Sequence, residues 1–174
     1  VETYRNADIT GLARVFTGWG WAATGTSNAE FRGSLVTDPE RTVKPMKMYA
    51  NFHETGAKAF LGITIPAGTS GEQSLTLTLD RLFNHPNLCP FISRQLIQRF
   101  VTSNPSAAYT GRVASACVNN GQGARGDMKA IIRAILLDAE ARDASKLADT
   151  QWGKVREPAL RLSNWARCFK ATSA

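Results

Sequence analysis

Ser70-Gly71-Glu72-Gln73-Ser74-Leu75-Thr76-Leu77-Thr78-Leu79-Asp80-Arg81-Leu82-Phe83 is the stretch at which the chain changes from loop texture to helix texture. Ser70 with Gln73 three residues on reads as a capping box, and Leu75, Leu79, Leu82 and Phe83 recur on one face at helical spacing. The same period continues downstream. A helix from Cys89 to Thr102 is predicted to bury Ile92, Leu96, Ile97, Phe100 and Val101. Asn104-Pro105 opens another, with Pro105 at its first helical position. Asp127 to Leu137 forms a further helix, with Met128, Ile131, Ile132, Ile135 and Leu136 inward. Glu157-Pro158 opens the last, which runs through Trp165 and Phe169.

Upstream, Asp8 to Phe16 reads as a helix, with Asp8 as N-cap and Ile9, Leu12, Ala13 and Phe16 at helical spacing. Gly18 and Gly20 break it within Phe16-Thr17-Gly18-Trp19-Gly20-Trp21. From Ala22 to Gly68 helical periodicity is absent, and Phe31–Val36, Lys47–Phe52 and Ala59–Ile65 suit short strands. The fold class that follows is mainly α. A single domain over 1–174 is expected, with about five to six helices. A small β-hairpin or irregular sheet insert falls within 22–68, and the helical part spans 70–170.

The composition fits a packed domain: 174 residues, 43% apolar, 20% charged. No apolar run approaches the roughly 20 residues of a membrane span. The charge is unevenly placed. Residues 1–80 carry 7 Lys and Arg against 8 Asp and Glu, whereas residues 81–174 carry 14 against 6. A basic half-chain suits nucleic acid, an anionic surface or an acidic partner, or simply solvates the outer faces of several helices.

Cys89, Cys117 and Cys168 are an odd number with no metal-ligand spacing. Cys89 and Cys117 form the candidate disulfide, because two neighbouring helices would carry them. Such a bridge favours an oxidising compartment. Three buried free thiols are the other reading. The chain begins at Val1, without an initiator Met or a leader, and reads as a piece of something longer.

The candidate chemistry is sparse. Gly121-Gln122-Gly123-Ala124-Arg125-Gly126 matches the dinucleotide pattern, but a helix precedes it where a strand is required, so it reads as a helix–helix loop. His53-Glu54-Thr55-Gly56-Ala57-Lys58 is the most chemically loaded stretch. His53, Glu54 and Lys58 can form a catalytic or metal-dependent site, or His53 and Glu54 can hold irregular backbone. Trp19 and Trp21 can stack on a flat ligand, or anchor their loop on the core. His85-Pro86 reads as a helix terminus. Lys154-Val155-Arg156-Glu157-Pro158 is expected to supply a buried ion pair from the last helix to the aromatic loop.

Taken in order, Thr17-Gly18-Trp19, Phe52-His53-Glu54-Thr55-Gly56-Ala57-Lys58-Ala59-Phe60-Leu61-Gly62 and His85-Pro86-Asn87 form the first part of a wider pattern. Arg94-Gln95-Leu96-Ile97-Gln98-Arg99-Phe100-Val101, Asn104-Pro105, Met128 to Leu137 and Lys154 to Pro158 complete it. The whole resembles the carboxy-terminal part of the bacterial family catalogued as domain of unknown function 1800. The resemblance implies a longer protein with a helical amino-terminal portion, export from the cytoplasm, and gene neighbours encoding sulfatase-like secreted proteins. It implies no reaction and no cofactor. The family usually has His-Asp where this chain has His53-Glu54, and a small residue where Cys89 stands, so a bridge from Cys89 would be local to this chain.

Three functions are therefore expected to compete. The first is a periplasmic or secreted accessory or interaction module, whose partner is the amino-terminal portion or a sulfatase-like protein. The second is an enzyme or metal-dependent site centred on His53 and Glu54. The third is nucleic-acid or anionic-surface binding by the basic helical half.

Overall fold

The computed structural model describes residues 4–33, 39–155 and 157–171. The protein is mainly α, and its chain divides into two compact units, Val1–His85 and Pro86–Ala174. In the first unit, α1 (Asn6–Val15) leads to β1 (Trp19–Gly20) and the short α2 (Asn28–Phe31). There follow β2 (Lys47–Met48), a 3-10 turn (Ala50–Phe52), β3 (Lys58–Phe60), β4 (Ile63–Ile65) and α3 (Gly71–Phe83). β1 pairs antiparallel with β2, Trp19 opposite Met48, and β3 pairs antiparallel with β4, Lys58 opposite Ile65. The segment Ala59–Ile65 is thus two strands of a hairpin. The stretch Lys47–Phe52 is a two-residue strand followed by a 3-10 turn. Phe31 ends a helix, and Ser34 to Val36 lie outside the described residues.

α1 begins two residues earlier than its sequence suggests. Arg5 is the N-cap and Asp8 sits in the first turn, accepting from the Arg5 N–H at 2.7 Å. Its other oxygen accepts from the Leu61 N–H of the hairpin turn at 2.6 Å. That tertiary bond turns the helix so that Asp8, Gly11, Leu12 and Val15 face the hairpin, while Ile9, Ala13 and Phe16 face outward. A Cβ on Gly11 would lie 1.9 Å from the Ala59 carbonyl oxygen, so this seam admits only hydrogen. Val15, Phe60 and Ile65 form the core behind it.

α3 is turned in a way its leucines do not foretell. Ser70 caps it, its Oγ accepting from the Gln73 N–H, but the buried positions are Gly71, Ser74 and Thr78. Arg81 donates to the Leu61 carbonyl at 2.8 Å from the same element. Small and polar groups are turned inward, Gly71 against Met48 of β2, and Leu79 and Phe83 are exposed.

The second unit holds α4 (Leu88–Phe100), α5 (Ala107–Val118), α6 (Met128–Leu137), two 3-10 turns (Glu140–Arg142, Ala144–Ala148) and α7 (Pro158–Cys168). Cys89 and Cys117 are joined in a disulfide that ties α4 to α5, and Cys168 is free and exposed. Around the bridge pack Ile97, Tyr109, Val113, Ala114, Ile131 and Ile135. The Tyr109 hydroxyl donates to the Ile135 carbonyl at 2.6 Å; burial and the nearby Asp138 and Glu140 carboxylates push its pKa up to about 12. Ser106, not Pro105, begins α5, because its Oγ accepts from the Tyr109 N–H at 3.0 Å. Phe100, Met128, Ile132 and Leu136 are exposed, against the inward placement their spacing suggests. Asp138 receives two hydrogen bonds from Arg112, at 2.7 and 2.8 Å, and they hold its carboxyl below the usual range.

Two substitutions test these seams. Gly11→Ala should improve helix propensity by about 1 kcal/mol yet lower the unfolding free energy by at least about 2 kcal/mol, because α1 must lift from β3. Replacing both Cys89 and Cys117 by Ser should cost about 3–4 kcal/mol, for a cross-link closing a loop of this length. Urea unfolding measures both. On the acid side, Asp138 stabilises the fold fully above the ordinary carboxylate pKa of about 3.9. That contribution drains as pH falls from there through its depressed folded value. Asp138→Asn should flatten that part of the stability–pH curve.

Candidate functional site

The chemistry-bearing residues of the first unit gather along the C-terminal end of α1. Thr17 follows the helix, and its hydroxyl donates to the Arg14 carbonyl at 2.7 Å. The same oxygen accepts from the Glu54 N–H at 2.8 Å. Its carbonyl meets His53 Nδ1 at 2.9 Å. A carbonyl oxygen cannot donate, so Nδ1 carries the hydrogen, and in the neutral ring Nε2 is the acceptor. His53 is buried, and its Nε2 has no hydrogen-bond partner among the described residues. A pinned imidazole with its second nitrogen unengaged is the arrangement that a general base or a metal ligand uses.

Gly18 is what lets the two segments meet. With φ of +81°, it would place a Cβ 2.9 Å from the His53 nitrogen and 3.0 Å from the Tyr49 carbonyl oxygen. Its own carbonyl accepts from the Tyr49 N–H at 2.8 Å. Tyr49, fully buried, donates its hydroxyl to the Trp21 carbonyl at 2.7 Å.

Glu54 does different work from its neighbour. One oxygen, Oε1, accepts from Arg14 Nη2 at 3.1 Å and from the Gly56 N–H at 2.9 Å. The Gly56 amide above all, then Arg14, holds the Glu54 carboxyl below the usual range. Lys58 is fully buried, its Nζ reaching the Gly56 carbonyl at 3.4 Å. Burial lowers its pKa, partly opposed by Glu54. His53, Glu54 and Lys58 thus stand in one strap, and Arg14 and Thr17 join them. Thr17 belongs to the Thr17-Gly18-Trp19 segment, whereas Arg14 carries no motif, and its signal was its position one helical turn before Gly18.

The two tryptophans part company. Trp19 lies in β1 with its Nε1 buried and without a partner among the described residues, whereas Trp21 is half-exposed. Among the described residues, no three His, Cys, Asp or Glu side chains gather where they could hold a metal ion. A metal at His53 would therefore need further ligands from elsewhere.

The glycine-rich stretch is a connection between α5 and α6. Asn119 Oδ1 accepts from the Gly121 and Gly123 amides, and Asn120 Oδ1 from the Gln122 and Ala124 amides. The amides that would cradle a phosphate are already bonded, and Asp127 caps α6 with its carboxylate on the Lys129 and Ala130 amides. Glu157 pairs with Arg99 of α4, and Lys154 donates to the Arg99 carbonyl at 3.2 Å. The described ion pair at the start of the last helix is therefore exposed and ends on α4, not on the aromatic loop. Arg156 lies outside the described residues.

A family model described as a protein of unknown function (DUF1800) matches residues 1–174, and the chain belongs to that family. Neither a curated protein nor a solved structure matches it. No helix among the described residues is long and apolar enough to cross a membrane.

Lys58 gives this strap a signature on the alkaline side. Its folded pKa is lowered, so the unfolded chain binds more protons between that value and the ordinary Lys value of about 10.4, and stability should rise with pH across the interval. Lys58→Met should unfold no earlier at pH 7 than the parent and should lack the alkaline rise. Urea midpoints at neutral and alkaline pH would show it.

Proposed function

We propose that this chain is an extracytoplasmic accessory module that works by binding a secreted protein partner. The observation that carries the reading is the orientation of α3. Its small and polar positions, Gly71, Ser74 and Thr78, are buried, while Leu79 on its leucine-bearing side is 54% exposed. A helix that leaves Leu77, Leu79 and Phe83 exposed has surface suited to another polypeptide. α6 of the second unit buries Ile131 and Ile135 but also leaves Met128, Ile132 and Leu136 exposed at intervals of one turn. The Cys89–Cys117 bridge supports the oxidising compartment. The family resemblance supplies two partner candidates, its amino-terminal helical portion and a sulfatase-like secreted protein.

The test mixes the purified chain with each candidate and follows complex formation by sedimentation. Leu79→Glu should abolish the complex while leaving the unfolding free energy of the free chain within about 0.5 kcal/mol of the parent, as for an exposed position. A chain that remains monomeric with both candidates, at low and high salt, rejects the proposal.

One observation favours a second reading, a ligand or catalytic site at His53: its buried Nε2 has no partner among the described residues. On that reading His53 Nε2 accepts a proton or meets a ligand, Thr17 orients the ring, and Glu54 and Lys58 supply the surrounding charge. A stable His53→Gln variant that supports every function of the parent in the native host would remove it.

A further inference from the structure

The exposed surface of the last helix combines both halves of a lipid-recognising pattern. α7 has no buried residue. Leu162, Trp165 and Phe169, at i, i+3 and i+7, fall in one narrow sector of a 3.6-residue helix. They are 66%, 57% and 69% exposed. The Trp165 and Phe169 rings lie 5.3 Å apart, so the stripe is a continuous aromatic surface. The half-covered positions are Ser163, Asn164 and Ala166, so the polar side rests toward the unit and the apolar side does not.

The charge of this segment is all of one sign. Arg161, Arg167 and Lys170 belong to this segment, and residues 158–171 contain no Asp or Glu. The nearest carboxylate, Glu157, is held by Arg99. A nucleic acid would use these cations but has no need of the Leu162–Trp165–Phe169 stripe. A purely apolar protein groove would use the stripe but not the acid-free flank. An anionic bilayer uses both: indole and phenyl rings enter the boundary between headgroups and acyl chains, and cations meet the lipid phosphates. At eleven residues the helix can lie on such a surface but is far too short to span it.

We propose that α7 docks the protein on an anionic lipid surface, with Leu162, Trp165 and Phe169 inserted, Arg161 beside them at the phosphates, and Arg167 and Lys170 adding longer-range attraction. The residues involved are not those of the α3 stripe, so the two ideas are tested by different variants and fail independently. The free thiol of Cys168, exposed beside the stripe, offers a place for an environment-sensitive fluorophore.

The test uses the whole chain, labelled at Cys168 or unlabelled, with vesicles of phosphatidylcholine alone or mixed equally with phosphatidylglycerol. Co-sedimentation and a blue-shifted label are expected with the anionic vesicles at about 50 mM salt, with partitioning at least about tenfold weaker on phosphatidylcholine. Trp165→Ser combined with Phe169→Ser should cut partitioning on anionic vesicles by about tenfold or more while leaving the thermal unfolding curve in place. Arg161→Gln, Arg167→Gln and Lys170→Gln together should abolish the preference for anionic lipid. No co-sedimentation with anionic vesicles overturns the proposal. So does binding that survives the Trp165 and Phe169 changes, since the attraction would then be the diffuse charge of the unit. A label that shifts only with a protein partner also overturns it and assigns the stripe to that partner.

Discussion

The first unit depends on how closely α1 can lie on the β3–β4 hairpin. At Gly11 the Ala59 carbonyl occupies the space a side chain would take, so helix and strand backbones touch directly. Everything else on that side of α1 is placed by this approach. Asp8 reaches the turn at Leu61, Val15 enters the core, Arg14 meets Glu54, and Thr17 arrives where its carbonyl can hold His53. Leu61 itself sits at φ +44°, a left-handed conformation a leucine rarely adopts. Asp8 and Arg81 grip its amide and carbonyl from two helices, and Gly62 at +78° completes the two-residue turn.

The second unit is closed differently. A covalent bridge between α4 and α5 stands at the centre of its core, and polar clamps finish the ends. Buried Thr102 accepts from the Gly153 N–H at 3.1 Å, and Ser103 donates to the Gly153 carbonyl at 2.9 Å, returning the chain to the end of α4 after the 3-10 turns. Arg112 and Asp138 fasten α5 to the end of α6. α7 stands outside this arrangement, held through Glu157 and Lys154 to Arg99. Its exposed stripe follows from that: a helix fixed by its first turn and its polar side has no reason to turn its leucine and aromatics inward.

Much of the fold was legible. The helix class, the cap at Ser70, the helix opening at Asp127, Pro158 at the start of α7 and the loop role of Gly121 to Gly126 are local, set within a few residues of chain. The direction of each helix face was less so. Spacing located apolar stripes on α1, α3 and α6, but burial fell on Gly11 and Val15, on Gly71, Ser74 and Thr78, and on only Ile131 and Ile135 of α6. Periodicity reports that a helix has an apolar side; it is silent on which body covers that side. The site was half legible for the same reason. His53, Glu54 and Lys58 are consecutive enough to be noticed together, whereas Arg14 and Thr17 stand about forty residues away and join them only through the packing of α1.

The sequence by itself determined a mainly helical chain, a concentration of chemistry at His53 to Lys58 and a basic second half, because these rest on composition and on contacts a few residues long. Only the tertiary structure decided that a glycine sets the α1 seam, that His53 is held by Nδ1 with Nε2 unengaged, and that Glu54 serves Arg14 and Gly56. It alone decided, too, which apolar stripes stay outside. Those outcomes depend on close approaches between segments far apart in the chain, where one missing Cβ or one buried carbonyl outweighs the local preference of a whole helical turn.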